Sequence, residues 1–347
     1  MDPSVYIPAY LERAYLASHP ELTDAARELV HNDVSVNPHK YAQTEHAQAL
    51  LSYAGVHRHL LDELHRIEDM GSDEEFEQTR NHLFDDTRDE LLKIVRVDAL
   101  AVDAQLLAII FADTPVDACL GDLMKLEATT TDYLQQSVPG FDMEAPHYWA
   151  NKVLADGVTA ADLTVSEPAL IGWLHTLEAI SQLCMASARY RAAANYSRRV
   201  LKAEGYPTRA AGTVLLALAR LEDEDSFFAL AHQLEEQMGA DALENSPWYL
   251  LARTILLFKT NKMRPATRAL REFANRCEGG AFFLLNPMYQ TPYLPCRPEP
   301  HDPWDLSHQA VWEADGIISD TPDFAPWANA CEDVSQLAQE FARRYGF

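Results

Sequence analysis

The chain of 347 residues is 48% hydrophobic, enough to bury a large core as two ordinary domains or as one elongated repeat array, which excludes a disordered chain. Its formal charge of −25 repels phosphate backbones, which proteins hold by neutralising them with Lys and Arg, so nucleic acid and anionic membrane are poor partners. With only 13 glycines and long stretches rich in Ala, Leu, Glu and Arg, the composition favours helices and predicts an all-α fold.

The amino-terminal Met1 to Tyr10 has no basic stretch followed by an apolar one, and the longest apolar run, Leu100 to Phe111, is too short to span a bilayer. Five cysteines, Cys119, Cys184, Cys277, Cys296 and Cys331, stand far apart without a CxxC pair, which fits a reducing compartment and predicts a cytoplasmic protein. Cys119 and Cys184 are expected as small buried hydrophobes. Val36-Asn37-Pro38, followed by Ala42, Ala47 and Leu50, reads as a junction between helices. His57, His59 and His65 then form the densest histidine group. On a helix His59 shares a face with Glu63 and His65 with Asp69, so the group is expected to be exposed and to pair along the helix; no HExxH spacing marks a metal site. The acidic runs Asp73-Glu74-Glu75-Phe76-Glu77 and Glu222-Asp223-Glu224-Asp225 suit solvated turns or first helical turns, where carboxylates meet the positive end of the helix dipole. Leu91 to Ala99, running into Val102 to Ala108, reads as the end of one helical unit and the start of the next.

The middle of the chain repeats. Pro168 to Tyr206, Thr208 to Gly239 and Ser246 to Cys277 each read as two amphipathic helices separated by a tight polar turn. Aligning Ala193, Ala229 and Ala266 as small residues early in each second helix gives separations of 36 and 37 residues. Leu177, Ile180 and Ser181, then Ala188 to Ala193, Val200-Leu201 and Pro207 fill one unit. Trp248, Leu251, Ala252 and Ile255, then Ala266, Leu270 and Phe273, fill another. This pattern resembles the tetratricopeptide repeat, and the resemblance implies an α-solenoid of degenerate helix pairs. Three regions are expected: 1–140, helical with weak repeat character; 141–280, the tetratricopeptide-like helix pairs; and 281–347, a Pro/aromatic-rich extended segment with C-terminal capping helices.

In tetratricopeptide-like proteins the first helices line a concave groove that takes a peptide or a partner helix. Carried over by position, the resemblance places His175, Glu178, Gln182 and Met185 of one unit, and Tyr249, Arg253 and Leu256 of another, toward that groove. The Lys and Asn clamp of the chaperone-binding subtype is missing, since Glu178, Gln182 and Tyr249 stand there instead. Arg198, Arg199, Lys202, Arg264, Arg268 and Arg271 fall on second helices; they suit a solvated convex face, or else an acidic partner.

From Asn286 to Ala330 the chain holds eight of 19 prolines and three of six tryptophans, so regular helix pairs end. Asn286 to Pro295 is expected to be extended, either sealing the last repeat or lying in the groove as an internal ligand. Thr321-Pro322-Asp323 predicts a helix start with Thr321 as N-cap, and Asp333 to Arg344 a final amphipathic helix. No GxSxG elbow, Gly-rich phosphate loop or GxGxxG is present, and neither metal nor cofactor is expected. The expected function is therefore a non-enzymatic scaffold that binds a protein or peptide. The rival is an enzyme or small-molecule sensor with a site near the Pro-rich segment, using Tyr293, His301, Asp302 and His308. A homo-oligomeric structural subunit is the third reading.

Overall fold

The computed structural model describes residues 1–67, 72–290 and 302–347, and among these every regular element is a helix. No described helix is long and apolar enough to cross a membrane. Two compact units emerge. One comprises residues 1–179 and 200–207; the other comprises 180–199, 208–290 and 302–347.

The first unit begins with α1 (Pro3–Ser18), α2 (Asp24–Val34) and the long pair α3 (Glu45–Ile67) and α4 (Asp73–Val97). It continues through α5 (Val102–Ile110), α6 (Val116–Ser137), the short α7 (Ala160–Val165) and the first part of α8 (Pro168–Ala186). The N-terminal junction expected at Val36-Asn37-Pro38 is there: α2 ends at Val34 and a 3-10 turn over Pro38–Lys40 leads into α3. Helix α3 turns Ala47, Leu50, Tyr53, His57, Leu60 and Ile67 inward, a three-to-four residue spacing that makes one continuous apolar stripe. It packs on α1 on one side and α4 on the other, and α4 then packs on α5 and α5 on α6. The acidic run after Ser72 is the first turn of α4, with the Ser72 hydroxyl accepting from the Glu75 amide. Trp173 is fully buried with Phe141 and Tyr148, and its indole N–H donates to Thr131 Oγ1 (2.9 Å) and Glu127 Oε1 (3.2 Å). That pairing is what lets a buried indole keep its polar edge satisfied.

All three helical hairpins read from the sequence are present. They are α8 with α9 (Tyr190–Val200), α10 (Ala210–Leu221) with α11 (Glu224–Met238), and, after the short α12 (Ala240–Glu244), α13 (Pro247–Lys259) with α14 (Met263–Arg276). Their turns are closed identically. Ala188, Glu222 and Asn261 stand at φ of 58°, 59° and 57°, and the next amide in each case donates five residues back: Arg189 to Cys184 O (2.7 Å), Asp223 to Leu218 O (3.1 Å) and Lys262 to Leu257 O (2.9 Å). This is the Schellman closure, which satisfies carbonyls that a helix end leaves open. The alignment through Ala229 is off by two residues. Ala193 and Ala266 are fully buried fourth residues of their helices, but the fourth residue of α11 is the buried Phe227, while Ala229 faces solvent. Phe227 therefore replaces a small residue, and the spacings become 34 and 39. Because Ala188 holds a left-handed conformation that costs an L-residue about 1 kcal/mol, Ala188→Gly should stabilise the protein by about 0.5–1 kcal/mol in urea denaturation. A lower midpoint would mean that the turn does not close this way.

The second unit is completed by α15 (Gly280–Leu285), α16 (Asp305–Ser319), α17 (Phe324–Asn329) and α18 (Glu332–Tyr345). The final amphipathic helix is as expected, burying Val334, Ala338 and Phe341. The helix start expected at Thr321-Pro322-Asp323 falls later. The Thr321 hydroxyl donates to Ile317 O of α16, leaving Asp323 as the capping residue of α17 with no side-chain cap bond. Pro287–Tyr289 forms a 3-10 turn rather than extended chain, since Tyr289 N–H reaches Asn286 O (3.1 Å). The remainder of the expected extended segment, Thr291 to Pro295, lies outside the described residues, as do Asp69, Cys296 and His301.

Candidate functional site

The residues carried over from the tetratricopeptide resemblance separate into three settings. His175 and Glu178, on the first part of α8, sit in a buried polar cluster of the first unit. His175 Nδ1 donates to Asp103 Oδ1 (2.8 Å), its Nε2 lies 2.6 Å from the Met1 amino group, and the Tyr6 hydroxyl donates to Asp103 Oδ2 (2.6 Å). Close by, the Tyr206 hydroxyl donates to Glu178 Oε2 (2.8 Å). Burial would raise the Asp103 carboxyl, but the electrostatic influence of the adjoining His175 and hydrogen bonds from His175 and Tyr6 outweigh it and hold the group below its ordinary value. Burial pushes both tyrosines well above the usual phenol value, with the adjacent carboxylates adding to the effect, so both remain donors. His57 borders the same cluster. It is 7% exposed, not exposed as its spacing suggested, because it falls on the inward stripe of α3, and burial lowers its pKa. The cluster ties α1, α5 and α8 together.

His59 behaves as expected, 3.8 Å from Glu63 one turn on, while the partner foreseen for His65, Asp69, lies outside the described residues. Cys184 is buried, whereas Cys119 is only half-buried. Among the described residues no three His, Cys, Asp or Glu side chains converge as metal ligands would.

Tyr249 and Arg253 of α13 engage second helices. The Tyr249 ring lies 6.1 Å from that of Phe227 on α11, and Arg253 pairs with Glu272 on α14 (2.9 Å). Leu256 is completely buried and offers no surface. The residues of the hairpins that meet another element across the first helices are different ones. Helix α16 packs on both α10 and α13, and its Glu313 carboxylate accepts from Trp248 Nε1 (2.9 Å) and Thr213 Oγ1 (3.2 Å). Arg209 bonds to Gln309, and Asp320 accepts from the Tyr190 hydroxyl (3.0 Å) and lies 3.4 Å from Arg220. Ala310, Val311, Ala314 and Ile317 of α16 are buried to 1% exposure or less. The chain's own helix thus occupies this surface, leaving a cavity of about 160 Å³ where Gln182 and Met185 face Thr213, Trp312, Glu313 and Gly316. Of the rival site's residues, His308 is buried edge-on to Phe283 at 4.5 Å and the Asp302 amide donates to Asp305; Tyr293 and His301 lie outside the described residues.

None of the residues expected at a groove lines a second, larger opening. A cleft of about 1270 Å³ runs between α3 and α4. Its floor is Ala49, Val56, Leu83, Thr87 and Ile94; its rim includes Glu45, His59, Arg66, His82, Asp86 and Lys93. These positions recur every three or four residues, so each helix contributes one stripe along most of its length. Gly55 leaves the wall open, since an added Cβ there would meet nothing within 4 Å. The signal available beforehand was the run of small residues Ala49, Ser52 and Gly55 on α3, opposite the apolar Leu83, Ile94 and Val97 of α4. Compared with known proteins, the chain matches no family model, no curated protein and no solved structure.

Proposed function

We propose that this protein is a binding scaffold built on degenerate tetratricopeptide-like hairpins, and that a partner protein docks a helix in the cleft between α3 and α4. The repeat reading is supported by the three equal turns and by α10 packing on α13, first helix against first helix. The observation that carries the binding reading is the cleft. It follows α3 from Glu45 to Arg66, about 30 Å at 1.5 Å per residue, with an apolar floor and a polar rim. Small molecules favour enclosed pockets of about 300–1,000 Å³, whereas a long open trough suits a polypeptide. Helix α16 already covers α10 and α13, which favours the first unit as the place for a partner.

Gly55→Trp tests this by filling the cleft from a position where a side chain has room. A protein retained by the native chain from its source lysate should be lost with Gly55→Trp at unchanged circular dichroism and melting temperature, yet kept by Gln182→Ala. Retention of the same partner by correctly folded Gly55→Trp overturns the assignment.

A further inference from the structure

Resting on that reading of the cleft, we infer that its occupant is a basic amphipathic helix of a partner protein. The backbone chemistry of the walls favours a helix over an extended strand. Both walls are helices whose N–H and C=O groups are already used, so an incoming strand would find no ladder and would lay its own amides on Ala49, Val56, Leu83 and Ile94 unpaired. A helix satisfies its backbone internally and offers only side chains.

Charge selects the kind of helix. Together α3 and α4 carry 11 Asp and Glu against six Lys and Arg, a balance of −5. The cations on the rim are already engaged within their own helices: Arg66 contacts Glu63, and Lys93 lies 2.6 Å from Glu90. Glu45 and Asp86, by contrast, have no cationic partner among the described residues, and both face solvent at the cleft. Partner Lys or Arg flanking an apolar stripe would meet these carboxylates. A second copy of this chain fits poorly, because two such clefts would bring like charge together within a pair of chains already carrying −25 each. The small residues Ala49, Ser52 and Gly55 let a backbone approach closely, so the stripe that fits carries medium-sized apolar side chains at i, i+3 or i+4, and i+7.

The test uses the full chain and three synthetic helical peptides of about 20 residues, the length of the cleft. They share one Leu and Ala stripe and differ in flanks of Lys and Arg, Gln, or Glu. In fluorescence anisotropy at low salt the basic peptide should bind at least tenfold more tightly than the Gln peptide. It should weaken with added salt, and it should lose at least tenfold with Glu45→Lys/Asp86→Lys. Equal binding of the Gln or Glu peptide overturns the charge inference while leaving the cleft as a helix site. Failure of all three peptides, or basic-peptide binding undiminished by Gly55→Trp, overturns the cleft reading itself. Light scattering that shows a dimer dissolved by Gly55→Trp replaces the partner with a second copy and overturns the inference as well.

Discussion

Asp103→Ala is expected to cost about 3–5 kcal/mol of folding stability, because it leaves two buried donors, an imidazole N–H and a phenol O–H, without an acceptor, at about 1–3 kcal/mol each. Asp103 is 5% exposed and accepts from two helices at once, from His175 on α8 and from Tyr6 on α1. Without it, the imidazole and a phenol that burial holds protonated would be left in a buried site with no acceptor. Tyr6→Phe, which removes only the donor, should cost about 1–2 kcal/mol. Urea denaturation followed by circular dichroism measures both, and an Asp103→Ala protein within about 1 kcal/mol of the native chain would show that the cluster holds little.

The acid response of the same variant separates the cluster from its neighbour. The Asp103 carboxyl has a lowered pKa in the folded protein, so its contribution is complete above the unfolded value of about 4 and is lost as pH falls through the folded value. His57 is also lowered, by burial, so the stability drawn from its neutral ring is present above about pH 6.5 and fades below it. Asp103→Ala should therefore flatten the stability profile below pH 4 while keeping the decline that begins near pH 6.5.

Gly212→Ala should lose about 2–3 kcal/mol, against the usual helix preference for alanine. A Cβ on Gly212 would lie 2.3 Å from Cγ, 2.5 Å from Cδ1 and 2.7 Å from Cβ of Trp248. Those are the root atoms of the indole, which no rotation can carry far, and its Nε1 is tethered to Glu313. Gly55→Ala on α3 is the matched control. With nothing within 4 Å of the new methyl, it should gain about 0.5–1 kcal/mol from helix propensity alone. Melting curves of the two variants should move in opposite directions. A Gly212→Ala protein that gains stability as Gly55→Ala does would mean that α10 and α13 do not approach this closely.

Much of the local architecture was legible in the chain. The apolar positions Leu177, Ile180, Leu251, Ile255, Leu270 and Phe273, read at helical spacing, are all buried to 1% or less, and the hairpin boundaries fall within a few residues of their expected places. Two readings of side-chain direction failed for one reason. His57 was expected at the surface and Ala229 was aligned with Ala193 and Ala266, but a shift of one or two positions on a helix rotates a residue by 100° or more, and periodicity in a single helix does not resolve that.

Helix existence, hairpin turns and net charge are properties of near neighbours: each Schellman closure spans six residues, and each apolar stripe repeats within a turn. They are written into the order of residues, and the all-helical fold follows from them. Which helix fills which surface depends on contacts between distant residues, such as Glu313 with Thr213, 100 positions apart, or His175 with Asp103, 72 apart. Such contacts form only where both surfaces fit, so the placement of α16 on α10 and α13, the lock at Asp103, and the cleft left open between α3 and α4 emerge only once the chain has folded.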